Sequence, residues 1–140
     1  MSEDKIKIVI VVRKDLNMRE GKLAAQVAHS QTLYYEFLYS QKCKASQPND
    51  YGEYGEDSFY PLFEYHKKWI ETGYTKIVVS VDSEQELLNL ISYADGQFIN
   101  NFPVYDFGLT EFHENKTLTC CAFGPDTEEH LDFTKDLKLL

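Results

Sequence analysis

Residues 5–12, KIKIVIVV, limit the possible folds more than any other stretch, because the run is apolar throughout from Ile8 on. A strand alternates its side chains between two faces, so an unbroken apolar run calls for burial on both of them. That is the habit of a central strand in an α/β sheet, and at 140 residues the chain has material for one such domain.

The rest of the text supplies the layers. A polar loop at 13–19 leads into a helix expected over about Glu20–Gln41, with Ala24, Ala25 and Ala28 expected to let it approach the sheet. Residues 46–58 are polar and turn-rich, with the tandem YGE-YGE at 51–56. A second helix is predicted from Pro61 to Thr72, ended by Gly73, and a strand at 75–81. Asp82 or Ser83 caps a helix reaching about Ala94, with Glu86 completing a capping box from Ser83 and Gly96 ending the helix. A third strand falls within 98–105, bounded by Pro103, and a fourth at 117–123. From Pro125 the tail reads as a short acidic helix and then LKLL. The order β-α-α-β-α-β-β-α predicts a three-layer α/β/α single domain, residues 1–140, around a small mixed sheet of about four strands. An insertion-like loop is expected at about 42–60.

Composition removes several classes. No apolar stretch reaches membrane-span length, and the charged start MSEDKIK lacks a signal peptide's apolar region, so a cytoplasmic protein is expected. Cys43, Cys120 and Cys121 are odd in number, and adjacent strand residues point to opposite faces, so they read as packing residues. The four histidines show no zinc-ligand spacing, and no metal is expected. The net charge of −9 is uneven: residues 1–44 carry eight Lys/Arg against five Asp/Glu, and residues 45–140 six against eighteen. Such acidity argues against broad nucleic-acid binding, yet Lys5, Lys7, Arg13, Lys14, Arg19 and Lys22 can build a local basic face.

Gly21-Lys22 after a strand suggests a phosphate loop, but Walker A needs a glycine where Leu16 stands and Ser or Thr where Leu23 stands. Asp106-Phe107-Gly108 copies a kinase triplet in a chain that lacks the other kinase elements. What remains is a constellation. Lys22, Gln26 and His29 share one helix face, while Asp106, Thr110, Thr117 and Thr119 lie in a loop and the strand it enters. Lysine, aspartate and hydroxyls together suit a hydrolase that activates water.

The block KIVIVVRKDLNMREGKLAAQVAHSQ, with TKIVVSVDSEQELLNL, VYDFGLTEF and TLTCCAFGP…LKLL, resembles the archaeal/eukaryotic-type peptidyl-tRNA hydrolases. The resemblance implies hydrolysis of the ester between a peptide and the 3′ ribose of tRNA, with no cofactor and often as a homodimer. It places functional positions on Lys22, Asp106, Thr110 and Thr119, with Gln26, His29 and Thr117 supporting. It implies contact with the CCA end and phosphates of peptidyl-tRNA, for which Arg13, Lys14 and Arg19 are the nearby cations. Against the family pattern stand Glu111 in place of a glutamine and FHENK at 112–116 in place of a Pro-Gly turn. These leave a second reading, a catalytically inactive binding module on the same fold that recognises an RNA end or a protein partner.

Overall fold

The computed structural model describes residues 5–45, 62–107 and 116–140. Strand β1 (Ile6–Arg13) lies at the centre of a five-stranded sheet of order β3-β4-β1-β2-β5. Its parallel neighbour is β2 (Lys76–Val81), and its antiparallel neighbour is β4 (Thr117–Thr127). The edges are β3 (Asn101–Asp106), antiparallel to β4, and the two-residue β5 (Lys138–Leu139), antiparallel to β2.

The alternation of β1 explains its composition. Ile6, Ile8, Ile10 and Val12 pack under helices α1 (Glu20–Ala45) and α2 (Leu62–Glu71), with Tyr34, Trp69, Phe102 and Cys120. Val9 and Val11 pack on the opposite face, with Leu87 and Ala94 of α3 (Glu84–Gly96) and with Cys121 and Phe123. Each such aliphatic side chain taken out of water contributes about 1.5–3 kcal/mol, so burial on both faces accounts for the unbroken apolar run. The three-layer α/β/α architecture is therefore present, and Cys120 and Cys121 do face opposite layers.

Several local expectations change. The fifth strand and the full length of β4 come from pairing remote in sequence: Ile6 is opposite Thr127 and Lys7 opposite Asp126, so the chain past Pro125 is strand. The expected acidic helix is replaced by turns and a short 3-10 segment at Asp132–Thr134. Pro103 sits inside β3 and does not bound it, which an edge strand permits because one side of its backbone has no partner strand. Ala24 and Ala28 are exposed; the sheet-facing stripe of α1 is Leu23, Gln26, Val27, Ser30, Leu33, Tyr34 and Phe37. Those two alanines thus favour the helix by propensity and not by close approach, while Ala25 is half-buried. Helix α1 also takes residues 42–45 from the expected insertion-like loop; the remainder of that loop, with YGE-YGE, lies outside the described residues.

Capping of α3 follows its sequence signal. The Ser83 hydroxyl accepts from the Glu86 N–H at 3.1 Å, and the Glu86 carboxylate accepts from the Asp82 N–H at 2.7 Å. Among the described residues no helix is long and apolar enough to cross a membrane.

Candidate active site

The first turns of α1 lie over the ends of β3 and β4, and this brings the helix residues to the loop-proximal residues. Lys22 Nζ donates to Asp106 Oδ1 at 2.7 Å across 84 residues of sequence. The two side chains are only 11% and 12% exposed, so the pair is largely withdrawn from water. Desolvating two charges is costly and is offset here by a short charge-assisted hydrogen bond.

One turn further along α1, Gln26 is buried, and its Oε1 accepts from the Thr119 hydroxyl at 2.7 Å. A register shift makes this contact. Val104 is opposite Cys120, but Tyr105 is opposite Leu118, which leaves Thr119 as the extra residue of a β-bulge. Bulges bend a strand and re-aim side chains. Here Thr119 and Cys120 both reach α1, the Cys120 thiol donating to the Gln26 carbonyl at 3.4 Å. With Oε1 held by Thr119, the amide Nε2 has no hydrogen-bond partner among the described residues, and Gln26 lines an open cavity of about 490 Å³. Asp106, His29, Leu33, Pro103 and Lys116 share that lining.

Burial pushes the Cys120 thiol up to about 12, against a smaller lowering by its Thr119 hydrogen bond, and desolvation raises Cys121 as well. Neither is a thiolate at neutral pH, so a cysteine nucleophile is not offered here. No group of three His, Cys, Asp or Glu able to hold a metal ion occurs among the described residues.

Lys22, Asp106, Gln26, His29 and Thr119 therefore converge as expected from sequence. Thr117 is opposite Asp106 in the sheet. Thr110, Glu111 and residues 112–115 lie outside the described residues. Arg13 is not brought to the cavity. It is buried, with Nε and Nη2 on the Asp15 carboxylate at 3.2 and 2.7 Å and Nη1 on the Leu118 carbonyl at 3.1 Å. Lys14 and Arg19 are exposed on the segment leading into α1. Missed in the sequence were Tyr105, Phe107 and Lys116, which line the cavity beside Asp106. The alternation of Tyr105 and Phe107 about Asp106 was the available signal.

The family model described as Peptidyl-tRNA hydrolase PTH2 matches residues 6–140. The chain is 36% identical over 137 residues to a peptidyl-tRNA hydrolase of Thermococcus sibiricus, covering 97% of this chain and 98% of the relative. It is 38% identical over 135 residues to proteins of that name from Methanopyrus kandleri and Thermoplasma acidophilum, covering 96% of this chain and 97% of each.

Proposed function

The chain belongs to the family Peptidyl-tRNA hydrolase PTH2, and from that membership we propose that it cleaves peptidyl-tRNA to free peptide and tRNA at the Lys22–Asp106 site. The observation that carries the proposal is the withdrawn 2.7 Å ion pair beside a cavity open to substrate.

The chemistry balances on these groups. Water attacks the ester carbonyl carbon while Asp106 accepts its proton, and the carbonyl π electrons move onto oxygen. Lys22 has three N–H donors, so it keeps Asp106 in place with one and donates to the developing oxyanion with another. The Gln26 amide, turned by Thr119, offers a second donor from the cavity wall. Collapse of the tetrahedral intermediate expels the ribose oxygen, which takes the proton from Asp106. His29 and Thr117 support the substrate around this centre, and Thr110 belongs to the same catalytic set.

Lys14 and Arg19 meet phosphates near the CCA end, while Arg13 holds the segment that carries them. The same reading includes a cytoplasmic location, where peptidyl-tRNA arises, and a homodimer.

The test is release of tRNA from a model peptidyl-tRNA by the purified protein and by Lys22→Ala and Asp106→Asn. Wild-type turnover with a loss of at least about 100-fold in both variants, while both still unfold cooperatively, supports the assignment. Near-normal rates in either folded variant remove that residue from the chemistry, and an inert wild type removes the hydrolase reading.

A further inference from the structure

Beside the ion pair, the cavity mouth carries two aromatic rings that the fold does not bury. Phe107 is 65% exposed and Tyr105 40% exposed. Lys116 Nζ stands 4.6 Å from the Tyr105 ring centroid and 5.9 Å from that of Phe107. All three side chains line the same cavity as Asp106. An exposed Phe is unremarkable alone. Two exposed rings and an ammonium around a proposed catalytic carboxylate are the combination that receives a base and its phosphate: a π face to stack on and a cation to neutralise charge.

We propose that Tyr105, Phe107 and Lys116 form a platform that stacks the 3′-terminal base of the tRNA, with Lys116 on the adjoining phosphate. This rests on the hydrolase reading above and assigns the substrate's orientation in that site. The opposite direction along α1 and β3 favours the peptide. There a second cavity presents Leu33, Phe37, Phe102 and Pro103 beside the neutral polar Ser40, Asn100 and Asn101, a mixed lining suited to a peptide, and it carries Glu36, which repels phosphate. At the Asp106 end the cations Lys22 and Lys116 gather, with Arg19 one turn before Lys22. Binding needs only a swing of Lys116, whose side chain is exposed, from the rings to the phosphate. The scissile ester, between base and peptide, then falls at Lys22 and Asp106.

The test uses a CCA-ended acceptor minihelix whose last base is 2-aminopurine, a fluorophore quenched by stacking. Titration of wild-type protein is expected to quench it. Phe107→Ala should weaken binding about 5- to 100-fold, and Phe107→Trp should restore it. Lys116→Met should weaken binding and lower the slope of log affinity against log salt by about 0.7. On peptidyl-tRNA, Phe107→Ala should raise KM more than it lowers kcat. Absence of quenching in the wild type, or unchanged affinity in folded Phe107→Ala, overturns the platform. Intact quenching in that variant with altered discrimination between peptides would assign the rings to the peptide and also overturn it. The quench needs no turnover, so platform and hydrolase reading fail separately: an inert wild type that still quenches loses only the second.

Discussion

At the scale of single residues, the site depends on side chains whose partners lie far away in sequence. Thr119 never needs to touch substrate to matter, because its hydroxyl fixes which way the buried Gln26 amide faces. Thr119→Val keeps the shape and removes that donor, leaving a buried Gln26 oxygen unsatisfied at a cost of about 1–3 kcal/mol. We expect kcat to fall roughly 10- to 100-fold through misplacement of the amide, with Thr119→Ser retaining most of the rate. Steady-state kinetics beside thermal unfolding check this; a lowered Tm with unchanged kcat would make the threonine a packing residue only. That Lys22, Asp106 and Thr119 would come together was legible in the sequence from residue types, the helical spacing of Lys22, Gln26 and His29, and the family resemblance. Arg13 was not. As a basic residue in a basic stretch it read as a substrate contact, and only its geometry shows the guanidinium bridging Asp15 and the Leu118 carbonyl. Local charge cannot reveal an internal partner 105 residues away.

At the scale of elements, the strand and helices whose periodicity is self-contained were legible: β1, β2, the start of α1, and α3 with its cap. What was not legible depends on pairing. The bulge at Thr119 and the extension of β4 to Thr127 arise from register against β3 and β1. A second register shift, between Lys7 and Val9, falls where Gly124 lies across the ladder. Gly124 has φ +104°, and a Cβ there would meet the Lys7 carbonyl oxygen at 2.8 Å and the Asp126 nitrogen at 2.9 Å. Both neighbours are backbone, so nothing can swing aside. Gly124→Ala should therefore cost roughly 2–3 kcal/mol or more, lowering Tm by on the order of 10 °C. Calorimetry checks it, and a variant as stable as wild type would show that β4 can shift register at that point. The expected acidic helix after Pro125 failed for the same reason: the segment's local propensity was overridden by its partner strand.

At the scale of the molecule, a body of net charge −9 must hold a polyanion. The sign asymmetry along the chain resolves the difficulty only if contact is confined to one end of the RNA. Arg13 is internal and Lys22 lies against Asp106, and among the described residues the exposed cations around the site are few: Lys14, Arg19 and Lys116. Three phosphate contacts predict a slope of log affinity against log salt of about −2 to −3 for deacylated tRNA. That corresponds to a loss of roughly 15- to 60-fold between 50 and 200 mM salt. A minihelix carrying only the acceptor end should then bind about as tightly as whole tRNA, because the acidic remainder gains nothing from the rest of the RNA and is repelled by it. A slope beyond about −6, or a minihelix bound far more weakly than tRNA, would require an extended cationic surface. Residues 45–140, with six basic side chains against eighteen acidic, cannot supply one from a single chain.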